Sequence, residues 1–212
     1  ERSIGSFLAS HRDPSLVVAT KLGRAGIYPD GYTRESLRDA TLRSIEDSLK
    51  RLKTDRLDIV WVHDIAQDFY GDEWLSYFET ARKGAFRVLT RLREEGVIKA
   101  WGLGVNKVEP IELTLDLAEA QADGFLLAGR YSLLDHERAL QRLMPKAIER
   151  NAEIVVGGPY SSGILAGGAH FEYQKAPPDI IAKVERMKNT AQRHGVSNKA
   201  AALQFVLANP AG

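Results

Sequence analysis

No cysteine occurs in the 212 residues, which excludes disulfides, thiolate catalysis and cysteine-ligated metals and fits a cytoplasmic protein. Histidine is sparse as well. Apart from His63, the histidines His11, His136, His170 and His194 stand far apart, and none forms a short His-x-x-x-His pair, so no metal is expected. No apolar run approaches the roughly 20 residues that span a bilayer. Neither charge sign dominates: 29 basic and 28 acidic residues, spread along the chain, leave a net charge of +1. That gives no electrostatic footprint for nucleic acid or an anionic membrane. The chain does not begin with methionine, so the lack of a signal peptide carries little weight. It stops abruptly at Asn209-Pro-Ala-Gly212, and both ends read as cut from something longer.

What is present is enough apolar material for a core, with 44% hydrophobic residues, and a recurring pattern. Short apolar, β-branched runs end in polar or glycine residues: Leu16-Val-Val-Ala-Thr-Lys21, Leu57-Asp-Ile-Val-Trp-Val-His63, Ala100-Trp-Gly-Leu-Gly-Val-Asn106 and Ile154-Val-Val-Gly157. Helical segments separate them, which predicts parallel strands carrying chemistry at their carboxyl ends. The spacing predicts helices over 3–10, from Thr33 through a stripe of Leu42, Ile45, Leu49 and Leu52, and over 86–95, closed by Gly96. Further helices are expected from Pro110, over 139–150, over 180–194 and over 198–207. Strands are expected at 16–20, 57–62, 98–105, 124–128 and 153–156. Residues 23–32 and 157–178 read as loops, and 65–77 as an irregular aromatic segment. An open dinucleotide-binding sheet would place Gly-x-Gly-x-x-Gly after its first strand, and none follows Thr20. A barrel, typically of about 250 residues, suits a cut chain with five strands better. No linker divides the chain, so a single domain over 1–212 is expected.

Several residues invite chemistry. Lys21 is either a strand end emerging into solvent or a functional amine. His63, with Asp64 beside it, is either a satisfied structural imidazole or a proton-handling group. The stretch Gly157-Gly-Pro-Tyr-Ser-Ser-Gly163 is a turn or a backbone N–H cradle for a pyrophosphate. Phe69, Tyr70 and Trp74 either shape a pocket or pack the segment down.

Taken together, these pieces resemble the aldo-keto reductase superfamily throughout the chain. The matching residues are Glu1-Arg-Ser-Ile-Gly5, Ala19-Thr-Lys21, Leu57 to His63, Gly102-Leu-Gly-Val-Asn106, Tyr131-Ser-Leu-Leu-Asp135 and Gly158-Pro-Tyr-Ser-Ser-Gly-Ile-Leu165. The resemblance implies an α/β fold, a (β/α)8 TIM barrel of which this chain supplies strands 3 to 7. It implies reversible hydride transfer with NAD or NADP, NAD being favoured. From the family's catalytic Asp, Tyr, Lys and His, it assigns Lys21 to lowering the tyrosine's pKa and His63 to orienting the substrate oxygen. The Tyr and Asp are expected upstream of Glu1, so residues 1–212 alone are expected to be inactive. Asn106 would hold the nicotinamide carboxamide, and Gly158, Pro159, Tyr160, Ser162 and Gly163 the pyrophosphate, with Tyr70 and Trp74 lining the substrate pocket.

The sequence departs from the family, which often has a Ser where Val105 stands, a Gln near Ala128 and a Tyr at Gly157. The stretches 126–135 and 155–165 look like the bacterial aldose dehydrogenase branch, which includes L-fucose and D-threo-aldose 1-dehydrogenases and pyridoxal 4-dehydrogenase. The expected reaction is oxidation of an aldose at C1 to the lactone, with a small sugar or aldehyde as the partner molecule. Alternatives are pyridoxal oxidation, general aldehyde or ketone reduction, a non-catalytic cofactor-sensing subunit, and a Schiff-base lyase using Lys21.

Overall fold

A computed structural model describes residues 1–11, 13–22 and 34–211. The expected loop over 23–32 and the Thr33 cap lie outside the described residues. The first helix, α1 (Arg2–Ser10), buries only Gly5. A Cβ there would lie 2.3 Å from the Arg51 carbonyl oxygen, so glycine is what lets α1 rest on the backbone at the end of α2 (Arg34–Leu52). Between them runs β1 (Ala19–Leu22), shifted from the expected 16–20, which puts Lys21 inside the strand. Leu37, Ala40, Ile45 and Leu52 of α2 are buried. Leu42 and Leu49, expected in that stripe, are only half-buried, so the buried face is rotated toward Leu37 and Ala40.

Strand β2 (Ile59–His63) follows. The segment expected to be irregular is instead helical: α3 (Gln67–Tyr70), a 3-10 turn Gly71–Glu73, then α4 (Trp74–Ala81). A π-helical stretch Arg82–Phe86 carries the chain without a break into α5 (Arg87–Glu94). The reason is a stripe that the sequence does contain. Trp74, Phe78, Ala81 and Ala85 recur at three- and four-residue spacing, and the last three are buried. Gly84 does not break the helix; a Cβ there would lie 2.8 Å from Leu37 Cβ, so its absence permits the close crossing with α2. Gly96, at φ 73°, ends the helix as expected.

Next come β3 (Ala100–Val105), α6 (Glu109–Asp116) and β4 (Gly124–Ala128). A π-helical turn Ala139–Leu143 leads into α7 (Met144–Glu149) and then β5 (Glu153–Gly157). The stretch read as loop beyond Gly157 contains a 3-10 turn Ile164–Ala166 and a small antiparallel hairpin, β6 (His170–Phe171) with β7 (Gln174–Lys175). Two-residue strands leave too little periodicity to be seen in sequence. The chain continues through α8 (Pro178–Arg193) and α9 (Asn198–Leu207). The Ser197 hydroxyl caps α9 by accepting from the Ala200 N–H at 3.2 Å.

The strand order β1-β2-β3-β4-β5 follows the chain, and β1, β2 and β3 pair in parallel. The chain forms two compact units: Glu1–Val105 with Glu109–Phe125, and Asn106–Val108 with Leu126–Gly212. In the first, Val60, Val62, Trp101 and Leu103 are essentially fully buried. Phe86 joins this core by contacting Trp101, with ring centroids 5.0 Å apart, and Phe78 at 5.7 Å. Full burial of such a side chain stabilises by about 1.5–3 kcal/mol. In the second unit, Leu134, Ile164, Leu165, Ala176, Val184 and Ala202 form the core.

At the start of β2 the buried Asp58 joins three strands of the first unit. Its Oδ2 accepts from the Val18 N–H at 2.8 Å, and Lys99 Nζ lies 2.8 Å from Oδ1. Its backbone donates to Val18 O and accepts from the Lys99 and Ala100 N–H groups. Burial works against this carboxylate's charge, but Lys99, the Val18 N–H and Arg56 outweigh it and hold its pKa below the usual value of 3.8. Among the described residues, no helix is long and apolar enough to cross a membrane, and no group of three or more acidic, histidine or cysteine residues could hold a metal.

Candidate functional site

Within the first unit, strand register places Lys21 and His63. Lys21 pairs with Trp61, Trp61 with Gly102, and His63 with Gly104. Side chains alternate across a sheet, so Lys21, Trp61 and His63 share one face, opposite Thr20, Val60 and Val62. Lys21 and His63 stand on adjacent strands one pleat apart, with Cα atoms about 8 Å from each other on standard sheet spacings. Lys21 is exposed on this face, and His63 is partly open.

Glycine keeps the face shallow at β3. A Cβ on Gly102 would lie 1.7 Å from the Gly124 carbonyl oxygen and 3.2 Å from the Trp61 ring. Asp64, buried directly after His63, adopts φ 57°. Its Oδ1 lies 3.2 Å from His63 Nε2. At that distance the carboxylate forms an ion pair with the imidazole when the ring is protonated. The expected pair therefore shares one face, with Asp64 beside it.

The pocket assignment of Tyr70 and Trp74 rests on rings that contact other rings. Tyr70 stacks on Tyr77 at 3.8 Å, and Trp74 meets Phe78 edge-on at 6.4 Å. Trp74 is thereby linked to the Phe78–Phe86–Trp101 core of the same unit.

The second unit holds Asn106 and the loop Gly158–Gly163. Gly158, at φ 68°, opens the loop, and the Ser161 N–H closes a turn onto Gly158 O at 2.9 Å. Tyr160 acts as an anchor: its ring packs on the core, and its carbonyl accepts from Gly163 and Leu165. Ser161, Ser162 and Gly163 then run in succession at φ 49°, 59° and 97°. Left-handed conformation costs a side-chain-bearing residue roughly 1–2 kcal/mol, so the serines are held there by contacts.

Those contacts are specific. Ser161 Oγ lies 2.8 Å from the fully buried Ser132 Oγ. Ser132 Oγ already accepts from the Leu134 and Asp135 N–H groups, so its own hydrogen is donated to Ser161. Ser162 Oγ accepts from the Tyr173 N–H at 3.0 Å, leaving its hydroxyl hydrogen free to donate to a ligand. At Gly157 a Cβ would lie 3.2 Å from Ala128 Cβ, a tight contact.

Sequence reasoning passed over Arg130. Its Nε donates to the Asn106 carbonyl at 3.1 Å, its Nη1 donates to Asp135 Oδ2 at 2.9 Å, and Glu172 pairs with the same Nη1. Burial works against the guanidinium charge, but the two carboxylates outweigh it and raise its pKa. Its partner Asp135 lies in the same stretch 126–135, but Asn106 and Glu172 lie 24 and 42 residues away in the sequence, where no local pattern links them to it.

A pyrophosphate fits the donor set of this loop. The Ser162 hydroxyl is a neutral hydrogen-bond donor of the kind a pyrophosphate takes, while the Ser161 and Gly163 N–H groups are engaged in turns within the loop.

The family model for the aldo/keto reductase family matches residues 1–212. A pyridoxal 4-dehydrogenase from Microbacterium luteolum is 40% identical over 178 residues, covering 82% of this chain and 51% of that protein. A D-threo-aldose 1-dehydrogenase from Pseudomonas sp is 30% identical over 231 residues, covering 98% and 67%. The chain thus spans about half to two thirds of the length of these relatives. Among solved structures, the holo form of the aldo-keto reductase AKR11C1 from Bacillus halodurans superposes with a TM-score of 0.66 at 22% identity, over 99% of this chain and 64% of that one. A mutant of Gox0644 in complex with NADPH gives 0.62 at 20%, over 98% and 61%. These likenesses show the fold: the five parallel strands are those of a (β/α)8 barrel.

Proposed function

The chain belongs to the aldo/keto reductase family, and we propose that the protein carrying it is an oxidoreductase that uses NAD or NADP, NAD being favoured, to oxidise a cyclic hemiacetal to its lactone. The substrate class is an aldose such as L-fucose or a D-threo-aldose, oxidised at C1. The observation that carries this reading is the placement of Lys21 and His63 one pleat apart on the same face of adjacent parallel strands.

Asn106 would hold the nicotinamide carboxamide, and the Gly158–Gly163 loop the pyrophosphate. The dinucleotide supplies a two-electron acceptor. Oxidation takes a hydride from the anomeric carbon and a proton from its hydroxyl, leaving a C=O bond. His63, steadied by Asp64, orients the reacting oxygen. The Lys21 ammonium favours the ionised form of the family's tyrosine, the group that takes the proton.

The 40% identity to a pyridoxal 4-dehydrogenase, against 30% to the aldose enzyme, favours pyridoxal as a second reading. The chemistry is the same, since pyridoxal closes on its own hydroxymethyl group to form a hemiacetal. The test is a panel of L-fucose, D-arabinose and pyridoxal with NAD and NADP on the intact protein. Formation of reduced dinucleotide with an aldose supports the first reading, and with pyridoxal alone the second. Inertness toward all three, with reduction of unrelated ketones, removes the hemiacetal assignment.

A further inference from the structure

Four side-chain-bearing residues of the second unit adopt left-handed backbone conformations close to one network: Ser161 at φ 49°, Ser162 at 59°, Glu172 at 47° and Tyr173 at 66°. Glu172 and Tyr173 are the two turn residues of the β6–β7 hairpin. Such turns normally take glycine, asparagine or aspartate, so this one is held by what it touches. Glu172 pairs with Arg130 Nη1, and the Tyr173 N–H donates to Ser162 Oγ. Arg130 reaches the Asn106 carbonyl through Nε. Two residues along, Ser132 donates to Ser161. The segment 130–135 therefore touches both Asn106 and the Gly158–Gly163 loop, and the hairpin turn contacts Arg130 of that segment and Ser162 of the loop.

We propose that Arg130 is a positioning residue for the dinucleotide and that the Glu172–Tyr173 turn is a clasp locking it. Arg130 fixes the peptide carbonyl of Asn106, and with it the direction of the Asn106 side chain. Glu172 and Asp135 both pair with Nη1 while Nε donates to Asn106, so the guanidinium is held at two of its nitrogens. Through Ser162, the same turn sets the loop that would receive the pyrophosphate. Nicotinamide and pyrophosphate contacts are thus aligned before ligand arrives, which lowers the ordering cost of binding. This inference rests on the dinucleotide reading of Asn106 and the loop.

The test uses the intact protein and two variants. Arg130→Lys keeps the charge but loses the planar fork. Glu172→Asn removes the carboxylate with a residue that tolerates left-handed backbone, at an exposed turn where the fold is not at stake. NAD and NADP affinities are read by titration of intrinsic fluorescence, and amide hydrogen exchange is read at 106–108 and 158–163. The expected result is a dissociation constant raised about tenfold in Arg130→Lys and about threefold in Glu172→Asn. Exchange should be faster in both segments, the melting temperature nearly unchanged, and kcat at saturating dinucleotide less affected than the KM for it. Affinity within twofold of the unaltered protein in Glu172→Asn overturns the proposal, whether or not Arg130→Lys folds. If the unaltered protein binds neither dinucleotide, the site reading itself fails, and the exchange data still decide whether the clasp holds Asn106.

Discussion

Asp58 shows how one buried side chain can set the acid limit of a fold. Its carboxylate is held ionised by Lys99, Arg56 and the Val18 N–H, and the folded pKa lies below the unfolded one. Its contribution is present above the unfolded value near 3.8 and is lost as pH falls through the lower, folded value. Asp58→Asn can still accept from Val18 but gives up the charge on which Lys99 and Arg56 act. We expect it to lower stability at pH 7 by about 1–2 kcal/mol and to flatten the acid limb of stability against pH. Urea unfolding between pH 3 and 7 reads both effects, and a variant with an unchanged acid limb would show that Asp58 does not set it. The residue scale also shows what a sequence can hide. Lys21 and His63 stood out because each closes an apolar run, whereas Arg130 bonds Asn106 and Glu172, which no local pattern links to it.

At the scale of elements, the strands were legible because β-branched runs bounded by polar residues have few other uses in a parallel sheet. Strand β4 lies where its pattern put it, and β2, β3 and β5 within two residues. The stretch from Gln67 to Phe86 was harder to read, since Gly71 and Gly84 look like breaks. Gly71 does interrupt the helix, at φ 53°, while Gly84 is kept for its missing Cβ at the α2 crossing. Gly102 carries the same lesson further. It belongs to a family motif, yet its local cause is space, since a Cβ would strike the Gly124 carbonyl oxygen at 1.7 Å. Backbone cannot yield as a side-chain tip does, so Gly102→Ala should force β3 and the start of β4 apart. We expect a loss of about 3 kcal/mol or more, seen as a lower urea midpoint or as failure to accumulate folded protein. A midpoint unchanged within error would contradict this packing.

For the molecule as a whole, the residues proposed for chemistry fall in two compact units, Lys21 and His63 in the first and Asn106 and the Gly158–Gly163 loop in the second. The family pattern read from sequence reached both units because its motifs sit at strand ends, where a barrel gathers its chemistry. Composition alone gave only exclusions. The central claim is hydride transfer that depends on Lys21, and isotope transfer tests it most directly. The intact protein is incubated with oxidised dinucleotide and whichever of L-fucose or pyridoxal is turned over, deuterated at the carbon to be oxidised. The reduced dinucleotide is then analysed by mass spectrometry. The account predicts one deuterium in the reduced nicotinamide and a rate lower by about 10²–10⁴ in Lys21→Met. Product formed without deuterium in the nicotinamide, or at an undiminished rate in Lys21→Met, would contradict it.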